Sequence, residues 1–140
     1  MKRYLFLLFA GLAYGCSKGS LYPSQPSSPP TTQTVSFQIN VQPIFTANCA
    51  TSGCHINPGA QQGLDLSTGN AYASIVNVPS HENHLYYRVK PSNSDSSYLY
   101  MKIIGAPGIT GARMPYSRPQ LSQTDIQTIQ EWINQGAKNN

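Results

Sequence analysis

The chain has no run of basic residues, no glycine-rich loop of the phosphate-binding type and no internal repeat. Its few charges are scattered, so nothing in it calls for nucleic acid as a partner. No acid–base pair or nucleophile constellation stands out, so neither an enzymatic reaction nor a small-molecule substrate is expected. No convincing run of alternating residues reads as a β-strand. The longest apolar run, Tyr4 to Gly15, is far shorter than the ~20 residues a spanning helix needs. Cysteine is scarce as well, and three cysteines are an odd number for a disulfide framework.

That short apolar run comes after Met1-Lys2-Arg3, a positive start, and reads as the core of an export signal over residues 1–15. It ends in Leu12-Ala13-Tyr14-Gly15-Cys16, which resembles a bacterial lipobox with its Leu displaced by one position. Lipidation of Cys16 is expected, and it leaves Cys49 and Cys54 as an even pair. Lys2 and Arg3 would leave with the signal, lowering the formal charge of +4 by two. Residues 16–35 are dense in Ser, Pro, Thr and Gln, with too little apolar content to fold. They read as a disordered tether between a membrane surface and a folded domain.

From residue 36 to 140 the composition is that of one modest globular domain, mostly α with long loops. The clearest helix is the last. Ser122 can cap it by accepting from the Asp125 N–H, with Leu121 and Ile126 as a hydrophobic staple. Ile126, Ile129, Trp132 and Ile133 supply its apolar face, and Gly136 its stop. An earlier helix places Phe37, Val41, Ile44 and Phe45 on one side, regular from about Pro43, and runs into Asn48-Cys49. Weaker helices are expected over Thr68–Val76, capped by Ser67, and over Ser96–Ile104, capped by Asp95 or Ser94 and stopped by Gly105. In the latter, Met101 reads as core. Tyr86 to Val89 reads as a short extended piece.

The chemistry lies at the end of that early helix. Cys49-Ala50-Thr51-Ser52-Gly53-Cys54-His55 holds two thiols with an imidazole immediately after the second. Each thiol can add to a porphyrin vinyl group, and the adjacent histidine can then bind the iron. The usual spacing has two residues between the cysteines, and here there are four. Gly53 lets the chain turn sharply before Cys54. A second axial ligand is sought in the loop Gly105 to Pro119, which carries Arg113-Met114-Pro115. A thioether is a soft iron ligand, and a methionine in a polar, Pro/Gly-rich loop is poorly explained as core filler. His81 and His84 compete for that role, although polar neighbours make both read as exposed. Arg88 and Arg113 are candidates to pair with haem propionates or, equally, ordinary surface charges.

These pieces occur in order from Val41 to Ala137: Val41-Gln42-Pro43-Ile44-Phe45, Cys49 with Cys54-His55, Gly63-Leu64-Asp65-Leu66-Ser67, Arg88-Val89-Lys90-Pro91, Ser97-Tyr98-Leu99-Tyr100, Arg113-Met114-Pro115, and Glu131 through Ala137. Together they resemble a class I type c cytochrome domain. More narrowly, they resemble the exported single-haem domains of the planctomycete-type cytochrome c family. The resemblance implies short helices and long loops wrapped around one haem c. It implies thioethers from Cys49 and Cys54, with His55 proximal and Met114 distal on the iron. It also implies that the first helix packs on the last, with Phe45 near Trp132. The function implied is single-electron transfer with redox proteins through weak, transient contacts. The setting implied is a periplasm-facing or outer-membrane lipoprotein of a Gram-negative bacterium.

Other classes remain open on the residues alone. Cys49, Cys54, His81 and His84 could form a structural zinc site, which leaves His55 and Met114 without a role. Cys49 and Cys54 could instead form a disulfide in a non-haem binding or adhesion lipoprotein. A haem enzyme or gas sensor would need Met114 absent from the iron or displaceable.

Overall fold

Apolar residues at helical spacing set four short α-helices among residues 33–140, the part of the chain described by this computed structural model. They are α1 Gln42–Asn48, α2 Ala71–Ile75, α3 Tyr98–Ile104 and α4 Gln123–Asn134. A π-helical turn, Phe37–Val41, leads directly into α1, and a 3-10 turn covers Gln61–Gly63. The described residues form no strand. Isolated bridges join Val76 to Val89, Pro79 to Tyr87 and Tyr87 to Ser97, so the expected extended piece is present. The signal segment, Cys16 and most of the tether lie outside the described residues. No helix among the described residues is long and apolar enough to cross a membrane.

The last helix forms as its sequence predicts. Ser122 Oγ accepts from the Asp125 N–H at 3.1 Å, and Leu121 and Ile126 are both buried beside that cap. Beyond Gln135, the Gly136 N–H donates to the Ile133 carbonyl and the Ala137 N–H to the Trp132 carbonyl. This paired pattern is a Schellman stop, and it returns Ala137 to the core. Ile129, Trp132 and Ile133 are fully buried. Both the π-helical turn and α3 pack against α4, so α4 is the element the others share.

The first helix differs from its expectation in one respect. Phe37, Val41, Ile44 and Phe45 are all buried, as their spacing requires. However, the ring that meets Trp132 is Phe37 and not Phe45. Phe37 lies 5.1 Å from Trp132, 5.4 Å from Tyr72 and 6.2 Å from Phe45, between ring centroids. The wider π-helical turn carries Phe37 to α4 and keeps Phe45 one ring further away. Its first N–H groups are closed by Ser36 Oγ, which accepts from Ile39, and by Asn140, whose Oδ1 and carbonyl accept from Phe37 and Gln38. Gln135 likewise ties down Val35 and Gln33.

The two weaker helices are shorter than expected at their starts. Residues 67–70 make a turn whose Asn70 and Ala71 N–H groups both donate to the Ser67 carbonyl, so α2 begins only at Ala71. Before α3, Ser97 Oγ is engaged with the carbonyls of Asn93 and Lys90, which holds residues 93–97 in a turn. Neither Ser94 nor Asp95 is its cap. Within α3, Tyr98, Leu99 and Ile103 face inward as expected, but Met101 is only half-buried and lies outside the core. Gly105 ends α3 in the left-handed region, where a side chain would also crowd Arg113.

Truncating Phe37 to Ala should remove the ring linking the first turn to α4. Urea unfolding should then show a loss of about 3–5 kcal/mol, and Ser122→Ala a loss of about 1 kcal/mol.

Candidate functional site

The end of α1 delivers the first thiol. The N–H groups of Cys49 and Ala50 both donate to the Phe45 carbonyl at 2.8 Å, so the chain is still helically wound where Cys49 emerges. Gly53 then sits at φ +77, a left-handed turn that favours glycine. The Cys54 N–H donates to Thr51, and the His55 N–H donates back to the Cys49 carbonyl at 3.3 Å. This last bond closes the lengthened loop on itself. The His55 carbonyl is in turn pinned by the Leu66 N–H at 2.8 Å.

The loop opens onto a cavity of about 750 Å³. That volume lies within the ~300–1,000 Å³ of small-molecule and cofactor pockets. Cys49, Cys54, His55, Arg88 and Met114 all line it. They come from three segments far apart in the chain. Phe45, Leu66, Leu99, Ile103 and Leu121 supply an apolar wall.

The titratable groups on this wall are unequal. Cys54 is exposed, whereas Cys49 is half-buried against the core. Burial pushes the Cys49 thiol up to about 11, Cys54 adds to the rise, and Arg118 opposes it. Burial also holds His55 below its ordinary value, and the Arg88 charge acts in the same direction. The main chain at Leu64 and Gln61 and the Glu82 carboxylate oppose this. His55 Nδ1 is buried with no hydrogen-bond partner. Burial therefore favours the neutral imidazole, and its Nδ1 is left without a hydrogen-bond partner, as suits a metal ligand.

The cavity wall is cationic. Arg88 is buried, and its guanidinium donates to the carbonyls of Gln62, Gly63 and Ser74. Among the described residues, no carboxylate lies at ion-pair distance from it. Arg118 and Lys102 also line the cavity, against a single carboxylate, Glu82. Two excess positive charges beside an apolar wall suit a flat apolar body bearing carboxylates. The thiols, imidazole, thioether and cations present thus fit a haem.

Met114 reaches this cavity on a loop held from behind. Its N–H donates to the Lys102 carbonyl at 2.9 Å. Arg113 lies off the cavity, and its guanidinium donates to the carbonyls of Met114 and Arg118, both at 3.0 Å. Arg113, a candidate propionate partner by sequence, is thus engaged with its own loop and is not among the residues lining the cavity. Its guanidinium braces that loop, and Arg118 lines the cavity.

The competing sets do not assemble. His81 lines the cavity beside Gly63, but His84 is exposed and does not. Among the described residues, no three of His, Cys, Asp and Glu are grouped to hold a metal ion, so the four-ligand zinc site is not formed. Cys49 and Cys54 are free thiols, not a disulfide.

Sequence reasoning missed Asp65, Lys102, Glu82 and Arg118. Asp65 accepts from the Ser67 N–H and hydroxyl, from Asn57 Nδ2 at 2.8 Å and from Asn70 Nδ2. It thereby ties the chain after His55 to the entry of α2. The Asp65-Leu66-Ser67 spacing was its available signal, since Asp commonly bonds the main chain two residues on.

No protein-family model matches the chain, and none of the curated proteins matches it. Among solved structures it is similar to hydrazine synthase of Kuenenia stuttgartiensis, at 26% identity and a TM-score of 0.52. The likeness covers 75% of this chain and 16% of that one, so this chain spans about a sixth of that protein's length.

The hydrogen bonds from Ser67, then those from Asn57 and Asn70, hold the Asp65 carboxyl below its ordinary value. Its folded value is lower than its unfolded one, so its contribution is complete above the ordinary carboxylate range of about 3.9. The contribution is lost as pH falls through the depressed folded value. Denaturation midpoints should show Asp65→Asn less stable than the parent at neutral pH, with the gap closing in acid. A gap independent of pH would show that the carboxylate charge is not what Asp65 contributes.

Proposed function

We propose that the domain holds one haem c in this cavity and carries single electrons. In this reading the Cys49 and Cys54 thiols would hold the haem through thioethers, and His55 and Met114 would be the iron's protein ligands. Arg88 and Arg118, both on the cavity wall, would supply positive charge for the propionates. Bound there, the haem supplies a one-electron couple. The chain's own residues fix its orientation, exclude water along the Phe45, Leu99 and Ile103 wall, and set the charge around it. His55 and Met114 would both hold the iron and so leave no position for substrate, and the role proposed is therefore electron transfer. The observation that carries the reading is the convergence of Cys49, Cys54, His55, Arg88 and Met114 on one cavity.

The likeness to a segment of hydrazine synthase is consistent with a domain of this shape being used inside a larger enzyme. Because it covers so little of that protein, hydrazine synthesis is not carried over to this chain. We further propose that the protein is exported, anchored in a membrane by lipidated Cys16 and held off it by the residue 17–35 tether. Such a lipoprotein would face the periplasm or sit in the outer membrane of a Gram-negative bacterium. Its partners would be redox proteins meeting it weakly over a small interface, with no nucleic acid involved.

A denatured pyridine haemochrome spectrum with intact mass tests the cofactor, on protein exported alongside haem-maturation machinery. The expected result is a mass gain of one haem that survives denaturation, with a spectrum of two saturated vinyls. Colourless protein would overturn the reading, and a mass two hydrogens lighter would point to a Cys49–Cys54 disulfide. Met114→Ala should make the reduced protein bind carbon monoxide where the parent does not. Identical carbon monoxide behaviour in both would remove Met114 from the iron.

A further inference from the structure

Lys102 is a buried cation in the last turn of α3, only 8% exposed. Its Nζ lies 2.9 Å from Glu82 Oε2, and it donates to the Thr110 carbonyl at 2.7 Å. Both Lys102 and Glu82 line the cavity. The Lys102 carbonyl also accepts the Met114 N–H. One residue thus joins the loop carrying Glu82 to two points of the loop carrying Met114. Glu82 Oε2 is buried and off the line of any hydrogen bond, so the Lys102 ammonium is the charge that balances it.

Fold stability does not explain this pair. A buried ion pair is often no more stabilising than apolar side chains of similar size, while either charge alone is costly. Its position suggests a different role. A redox centre in this cavity changes charge by one on reduction. A cation on the wall disfavours the oxidised form, an anion favours it, and a matched pair nearly cancels. In the low effective dielectric of such a wall, one unbalanced charge alters the equilibrium by roughly tenfold.

We infer that the Lys102–Glu82 pair keeps this wall charge-balanced toward the redox centre, so that loss of either partner shifts its reduction potential, and that Lys102 positions the Met114 loop. This rests on the haem reading above. Glu82→Gln leaves the ammonium unbalanced and should raise the potential. Lys102→Gln leaves the carboxylate unbalanced and should lower it. Each shift should be about tenfold in the ferrous-to-ferric ratio at fixed poise, about 59 mV for one electron. The double variant should return close to the parent, and Lys102→Arg, which keeps the charge, should stay near it.

The experiment is a spectroelectrochemical titration of the haem-loaded full chain and these variants at pH 7 and low salt. Shifts of opposite sign in the single variants support the inference. Shifts of the same sign, with loss of the thioether–iron band, would reduce the pair to a brace for the Met114 loop and overturn the electrostatic role. Unchanged potentials in Glu82→Gln and Lys102→Gln would also overturn it. A parent protein without haem is a separate outcome, because it defeats the underlying reading and not the charge argument alone.

Discussion

The contact on which the rest of the domain depends is the packing of Phe37 on Trp132. The Trp132 indole is wholly buried, Phe37 lies against it, and Tyr72 closes the group from a third segment. Trp132 belongs to α4, the longest of the four helices, and Phe37 belongs to the turn that becomes α1. The position of α1 against α4 is therefore set by one aromatic cluster. Because α1 ends where Cys49 begins, the position of the first thiol is set by it too. Polar bonds complete the cluster: Tyr72 Oη donates to the Ala137 carbonyl and Trp132 Nε1 to the Lys138 carbonyl. Aromatic rings with a satisfied polar handle combine a large apolar area with a defined orientation.

The cavity loops are held differently. Short helices alone would leave them free, and here polar side chains bond across the loop segments. Arg88 holds residues 62–63 and 74, Asp65 holds 57 and 67, Ser97 holds 90 and 93, and Arg113 holds 114 and 118. Each satisfies polar groups that would otherwise be costly to bury. The site therefore sits on loops, where functional residues commonly lie, but on loops whose course is fixed.

Much of this is legible in the chain. Ser122, the isoleucines of α4 and Gly136 announce that helix from cap to stop, because capping and periodicity are local properties. Phe37, Val41, Ile44 and Phe45 fall on a buried face for the same reason. Sequence and structure part where a side chain has two possible partners. Ser67, and Asp95 or Ser94, read as helix caps, but the chain makes a further turn after each, which shortens α2 and α3. The resemblance read from the sequence implies Phe45 near Trp132, and the π-helical turn brings Phe37 there instead. Arg113 and Arg118 have the same chemistry five residues apart, and only the course of the loop decides which one faces the cavity.

The residues able to hold a cofactor and the order of the helices were written in the sequence alone, since they depend on residue type, spacing and local propensity. Only the tertiary structure decided that Cys49, Cys54, His55, Arg88 and Met114 share one cavity, that Arg118 and not Arg113 lines it, and that Lys102 pairs with Glu82 on its wall. Those outcomes depend on contacts between segments distant in the chain, whose geometry is set jointly by the aromatic cluster at α4 and the buried hydrogen bonds of the loops.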